Sequence, residues 1–176
     1  MIVKINMNFV LNFHYTDNKR ITGGLKVISL PDLKQKTEEV LRENGLAVLA
    51  SIHEDVPHQT LVAVAGTEDL RFLLFATPVY TRKYENIQNN PFISLHVDNR
   101  KNTELDFINC TALTVRGKAE IIPDKDLAKY RKIYLQRHPY LESFLLAPSA
   151  QLVLVKVHTY TVVSSFQKVE EWSPKK

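Results

Sequence analysis

Three short β-type runs separated by tight polar turns most constrain how this chain can fold. The runs are LAVLASIH (46–53), HQTLVAVA (58–65) and LRFLLFAT (70–77), and the polar stretches EDVP (54–57) and GTED (66–69) join them. This spacing predicts an antiparallel meander. The segments LVAVA and FLLFA are apolar at every position, whereas a strand with one solvated face would alternate. We therefore expect both faces of these strands to be covered, by helices or by a second subunit.

Three further β-type runs turn the meander into a larger sheet. They are FISLHVD (92–98), FINCTALTVRGKAEII (107–122) and QLVLVKVHTYTVVSSFQ (151–167), the last being one or two strands. The run 107–122 is too long for a flat strand, so we expect a bend or bulge at Gly117. Six or more short strands would leave exposed edges in an open sheet, and closure removes them. The sequence therefore predicts a mainly β fold with flanking helices: a six- or seven-stranded antiparallel β-barrel.

Helical signals lie between the strands. The stretch 29–45 has the cap candidates Ser29 and Asp32 at its start and Gly45 at its end, and a second helix is expected to open at Pro123-Asp124. A short helix is expected between Thr81 and Pro91. The residues expected on buried helix faces are Leu33, Val40 and Leu41 in the first helix, and Leu127, Tyr130 and Tyr134 in the second.

Composition narrows the classes of protein. The chain has 176 residues, 44% hydrophobic and 24% charged, which suits one globular domain over residues 29–176. Residues 1–28 are interpreted as an N-terminal extension of unknown role. The net charge of +4 is spread along the chain and argues against nucleic acid as a partner. The single cysteine excludes an internal disulfide, the apolar runs are too short to span a membrane, and we expect a cytoplasmic protein.

The stretch Thr81-Arg82-Lys83 is the strongest candidate site. A helix N-terminus is the positive end of the helix dipole, yet this one begins with two cations. Free backbone N–H groups, two cations and the hydroxyls of Thr77 and Thr81 would together suit a phosphate group. The alternative is a solvated helix start whose cations simply point into water.

The order of these elements resembles the pyridoxamine 5′-phosphate oxidase-like family of split-barrel flavoproteins. The resemblance covers roughly residues 33 to 167 and rests on Thr77, on Thr81-Arg82-Lys83, and on the later stretches NIQNNPFISL and RGKAEII. It implies a homodimeric split β-barrel that binds FMN at the dimer interface. Arg82, Lys83 and Thr81 would then hold the phosphate, and Thr77 would lie beside the flavin.

The same resemblance assigns a second set of contacts to the strand TLVAVA (60–65). Leu61, Val62 and Ala63 would contact the edge of the flavin ring through the backbone, and the small side chains of Ala63 and Ala65 would let a flat ring approach. His58 opens this strand. Arg100 and Asn102 in the polar loop 98–102 could also reach the ligand, although a solvated loop is an equally open interpretation.

Departures from the family pattern argue against pyridoxamine phosphate as the substrate. True oxidases of that substrate have Arg, Lys and Gln where this chain has Thr60, Ala65 and Ala112, and their C-terminal substrate segment has no match here. The resemblance therefore points to a separate branch that keeps the FMN site.

Several functions stay open at this stage. We expect an FMN-dependent oxidoreductase with an unknown substrate, with NAD(P)H as a possible electron donor. The alternatives are a haem-binding or haem-handling protein, in which His58 or His96 would be the ligand, and a flavin-binding module without turnover. No residue is assigned a catalytic acid or base role, and the six histidines show no spacing typical of a metal site.

Overall fold

The computed structural model describes residues 29–165 and 168–175. The N-terminal extension inferred for residues 1–28 lies outside this part. The strands are β1 (Leu46–His53), β2 (Val56–Gly66), β3 (Phe72–Pro78), β4 (Phe92–Asp98), β5 (Thr111–Ile121), β6 (Ala150–Ser164) and β7 (Lys168–Trp172). The helices are α1 (Leu30–Glu43), α2 (Arg82–Asn89), α3 (Asp106–Asn109), α4 (Asp124–Arg137) and α5 (Glu142–Leu145), with a 3₁₀-helix at Pro139–Leu141.

The strands form one antiparallel sheet that closes on itself. Its order is β3-β2-β1-β4-β5-β6-β7, and an additional pairing of β3 with β6 joins the first strand to the sixth. Seven residue pairs, from Phe72↔Lys156 to Pro78↔Ala150, make this closing ladder. β7 pairs with the later half of β6, from Tyr160 to Ser164. The predicted mainly β barrel with flanking helices is thus confirmed as six closed strands plus one.

β2 and β3 pair with each other over only part of their length. Their ladder contains only three pairs, Val64↔Phe75, Ala65↔Leu74 and Gly66↔Leu73. β2 instead continues along β1, which it pairs over the whole length of β1. The outer half of β2, residues 56–63, is therefore not hydrogen-bonded to the end of β3, residues 76–78. The chain leaves β3 at this place and enters α2.

A tight turn and a bulge determine where β2 begins and how β5 bends. Glu54 and Asp55 both have positive φ, 46° and 64°, so a two-residue turn joins β1 to β2. β2 accordingly begins at Val56, two residues earlier than the predicted start. The bend expected at Gly117 is confirmed, because the register between β5 and β6 shifts between Arg116 and Gly117. A Cβ atom at Gly117 would lie 2.6 Å from the carbonyl oxygen of Lys156, so only glycine fits.

The expectation that residues 107–122 are all β-type is wrong at its start. Residues 106–109 form α3, and the strand begins at Thr111. The carboxylate of Asp106 accepts hydrogen bonds from the backbone amides of Lys101 and Thr103 at 3.0 Å each. These bonds fold the loop back on itself, and they lower the pKa of Asp106. A run of apolar letters cannot reveal such a side-chain-to-backbone bond.

Helices cover part of the barrel, as the doubly apolar strands required. α1 buries Leu33, Val40 and Leu41 in the main core, and its Thr37 accepts a hydrogen bond of 3.0 Å from the indole of Trp172. α4 packs Tyr130 and Tyr134 on the outward faces of β2, β3 and β6 in a second apolar cluster. The outward side chains of β1, β4 and β5 belong to neither cluster and stay partly exposed; they include Val48, Ala50, Ser94, His96 and Thr114.

Candidate functional site

The end of β3 and the start of α2 are joined by two threonine hydroxyls. Thr77 is buried, at 1% exposure, and its Oγ1 lies 2.9 Å from Oγ1 of Thr81. The Thr81 hydroxyl donates to the carbonyl oxygen of Pro78 at 2.8 Å. Thr81 occupies the N-cap position of α2, but its side chain makes no capping hydrogen bond. The threonines therefore shape the connection and leave the N–H groups of the helix start without a side-chain acceptor.

The first turn of α2 presents unpaired positive charge. The amides of Tyr84 and Glu85 bond back to the carbonyl of Thr81, which leaves those of Arg82 and Lys83 as the free helix-start donors. Within the described part of the chain, neither the Arg82 nor the Lys83 side chain takes part in an ion pair or hydrogen bond. Glu85 adds one exposed carboxylate to this turn. The first turn of α2 still carries a net positive charge, and it lies at the positive end of the helix dipole. An anion would therefore be stabilised here.

The three predicted flavin-contact residues of β2 do not all point to the same side of the sheet. Leu61 points outward and is 60% exposed, Ala63 is partly buried, and Val62 points into the barrel core. A ligand on the outside of β2 could therefore contact Val62 only through its backbone. The expected approach of a flat ring over Ala65 is wrong, because Ala65 is 4% exposed and packs under α4 with Tyr130.

Two side chains from α4 and its end hold the strands that flank the site. Tyr134 is buried in the cluster that includes Ala76, next to Thr77, and burial raises the pKa of Tyr134 to about 12. His138 Nε2 lies 2.9 Å from the carbonyl oxygen of Val64, where the ladder between β2 and β3 ends. The sequence predicted Tyr134 as a packed residue only and assigned His138 no role. Their partners lie far along the chain, so no sequence signal could have found them.

Arg100 and Asn102 are not brought together with α2 by any contact among the described residues. They lie in the loop after β4, whereas α2 connects to the start of β4. Arg100 pairs with Asp98 at 3.0 Å and is largely exposed, and Asn102 has a positive φ of 59°. Their contact with a ligand therefore stays a prediction.

The two histidines named as haem ligands have different surroundings. His96 lies on the outward face of β4, with Nε2 3.4 Å from a carboxylate oxygen of Asp98. His58 is partly buried on β2, and its Nδ1 is buried without a hydrogen-bond partner. In the described ranges, no three His, Cys, Asp or Glu side chains are grouped so that they could hold a metal ion. No helix of the described chain is both long and apolar enough to cross a membrane.

Sequence comparison decides the family. The family model described as pyridoxamine 5′-phosphate oxidase matches residues 33–164. That range holds 132 of the 176 residues, so it covers most of the chain. The chain belongs to the pyridoxamine 5′-phosphate oxidase family. No curated protein matches it in sequence.

Solved structures similar to this member of the pyridoxamine 5′-phosphate oxidase family share its fold at low identity. A haem-binding protein from Mycobacterium smegmatis is 14% identical with a TM-score of 0.73, and the match covers 84% of this chain and 60% of that one. General Stress Protein 26 from Bacillus anthracis is 22% identical with a TM-score of 0.60, over 80% and 98%. A FAD-binding protein from Mesorhizobium loti is 15% identical with a TM-score of 0.59, over 73% and 91%. The chain spans about three fifths of the mycobacterial protein.

Proposed function

We propose that this member of the pyridoxamine 5′-phosphate oxidase family is an FMN-binding flavoprotein and an oxidoreductase with a substrate other than pyridoxamine phosphate. The observation that carries the proposal is the start of α2, where two unpaired cations meet free helix N–H groups. A cation at this end of a helix costs stability unless an anion accompanies it. A phosphate group at this position would turn an unfavourable arrangement into a favourable one.

The donor set fits a phosphate monoester. Arg82 can donate two parallel hydrogen bonds to phosphate oxygens, while Lys83 adds a compact point charge. The amides at the helix start point along the helix axis toward the same position. Thr77 and Thr81 bind each other and the backbone, so they serve chiefly to hold the chain in its path from β3 into the helix.

A flat ring would lie beside the outer half of β2. There the exposed side chain of Leu61 offers an apolar surface, and the backbone of Val62 and Ala63 offers polar groups. Bound FMN would supply the hydride and electron transfer, and the residues of the chain would bind and orient it. Thr60 is uncharged where the true oxidases have Arg, so a substrate phosphate would find no charged partner at this position. This supports a different substrate from that of the true oxidases.

A C2 homodimer is part of the proposal. The outward face of β1, β4 and β5 carries small, apolar and polar side chains that neither core cluster covers, and Leu46 and Leu61 extend it on the adjoining β1–β2 ladder. A second copy packed on this face would border Leu61 and thus the ring side of the site. An obligate interface buries about 2,000 Å² or more in total.

Identification of the bound chromophore tests the proposal. The protein is purified, its absorbance is recorded, and any chromophore released by denaturation is identified. We expect FMN, or in its absence quenching of FMN fluorescence on titration of the colourless protein. A protein that neither carries nor binds FMN would refute the proposal. Oxidation of NADH or NADPH by the FMN-loaded protein, with oxygen or a dye as acceptor, would distinguish an oxidoreductase from a flavin-binding module without turnover.

Haem is the second candidate ligand, favoured by the surroundings of His58. His58 is only partly buried, and its imidazole makes no hydrogen bond among the described residues, so a ring nitrogen is not engaged and could coordinate a haem iron. The structural similarity to a haem-binding protein from Mycobacterium smegmatis supports testing this candidate. A Soret band on haem addition that disappears in His58→Ala would favour haem over flavin.

A further inference from the structure

A buried polar cluster links α2 to the strands β1 and β2. Asn86 of α2 is completely buried, and its Nδ2 donates a hydrogen bond of 2.9 Å to Oγ of Ser51 on β1. Ser51 is also buried and pairs directly with His58 across the β1–β2 ladder. Directly opposite residues in an antiparallel ladder point to the same face. The side chains of His58 and Asn86 therefore both adjoin the hydroxyl of Ser51.

Two polar atoms of this cluster are buried without a partner among the described residues, Oδ1 of Asn86 and Nδ1 of His58. Buried polar atoms nearly always have a hydrogen-bond partner, from the protein or from an ordered water. The two atoms are chemically complementary, because a neutral imidazole with its proton on Nδ1 is a donor and the amide oxygen is an acceptor.

The cluster lies one helical turn from the proposed phosphate site. Asn86 follows Arg82 by four residues, so the two share a helix face about 6 Å apart along the axis. α2 has only eight residues and no side-chain cap at its start. A helix this short is not stable by itself, and its position depends on tertiary contacts. The bond from Asn86 to Ser51 is the only side-chain hydrogen bond between α2 and the barrel in the described structure.

We propose that Asn86 is a positioning residue, held by Ser51, which fixes the position and rotation of α2 and thereby aims its first-turn N–H groups and Arg82 at the phosphate of the ligand. The inference rests on the proposed function. It adds that the helix at the phosphate is fixed to β1, the neighbour of the strand beside the flavin ring, through one buried hydrogen bond. Weakening the cluster should lower phosphate binding specifically.

The test is Ser51→Ala, which removes one oxygen atom and leaves Arg82, Lys83 and Asn86 in place. Dissociation constants for FMN and for riboflavin are measured by fluorescence titration with the wild type, with Ser51→Ala and with Gln88→Ala. Gln88 is exposed on the same helix and is the matched control. We expect Ser51→Ala to weaken FMN binding about tenfold, comparable to the loss of one good polar contact. Riboflavin affinity in all three proteins, and FMN affinity in Gln88→Ala, should stay unchanged.

The outcomes separate this inference from the proposed function. A wild type that binds FMN no better than riboflavin would refute the phosphate site and the inference with it. A wild type that prefers FMN, with the same preference in Ser51→Ala, would overturn the inference alone. An equal loss of FMN and riboflavin affinity would show that the whole flavin site is damaged, and it would also overturn the inference. If Ser51→Ala does not fold, Ser51→Cys keeps a weak acceptor of similar size, and a smaller selective loss for FMN is then required.

Discussion

Replacement of Arg82 by alanine tests the proposed phosphate site most directly. The side chain of Arg82 makes no hydrogen bond or ion pair among the described residues, so its removal breaks none of these in the ligand-free protein. In the FMN complex the change would remove a charge-assisted contact, worth about 1.5–3 kcal/mol. At about 1.4 kcal/mol per tenfold change, FMN affinity should fall roughly 10- to 150-fold. Fluorescence titration with FMN and with riboflavin measures the effect, and riboflavin, which lacks the phosphate, should bind the two proteins equally.

Lys125→Ala is the matched control for the charge itself. Lys125 is the second residue of α4 and is exposed, so the variant removes one cation from the first turn of a different helix. FMN affinity should not change in this variant. Equal FMN affinity in Arg82→Ala and the wild type would refute the reasoning. It would support the alternative that the Arg82 side chain simply points into water. An equal loss for FMN and riboflavin would also count against a phosphate contact.

The stability of ligand-free Arg82→Ala gives an independent check on the electrostatic argument. A cation in the first turn of a helix is unfavourable by about 0.3–1 kcal/mol. Without ligand, the variant should therefore unfold at the same temperature as the wild type or slightly above it. A clear decrease in the melting temperature would show that Arg82 stabilises the fold and would contradict the electrostatic argument.

Three further predictions concern assembly and folding. Light scattering at micromolar concentration should give twice the chain mass of 20.2 kDa, and a monomer mass would contradict the dimer. Gly117→Ala should lower the free energy of unfolding by about 1–3 kcal/mol because its Cβ would meet the carbonyl of Lys156, and wild-type stability in urea would disprove the close approach. Thr37→Val leaves the buried indole N–H of Trp172 without its acceptor and should cost about 1–3 kcal/mol, whereas an unchanged urea midpoint would show that another acceptor replaces it.

The sequence by itself determined those elements whose cause is local. The predicted bounds of β1 and β4 agree with the structure at both ends, since turn residues and an apolar pattern mark them. α1 begins as predicted because Ser29 and Asp32 form a reciprocal capping box. The bulge at Gly117 was likewise predictable from one glycine in an overlong strand. In each case the deciding interaction lies within a few residues of the chain.

The position of the candidate site was predicted in part. Thr77, Thr81, Arg82 and Lys83 are close in sequence and stay close in the structure, so a local motif sufficed to group them. The contributions of β2 were harder to predict. Alternation separates the faces of a strand, but only packing decides which face is covered, and α4 covers Ala65 while Leu61 is left open.

Only the tertiary structure decided how distant segments meet. β3 closes the barrel with β6, a strand that lies more than 70 residues further along the chain, and Asn86 meets Ser51 across 35 residues. An apolar pattern indicates that one face of a strand or helix is buried. It does not indicate which other element covers that face, because burial of apolar surface is not directional. Hydrogen bonds select the partner, and their geometry exists only after the chain has folded.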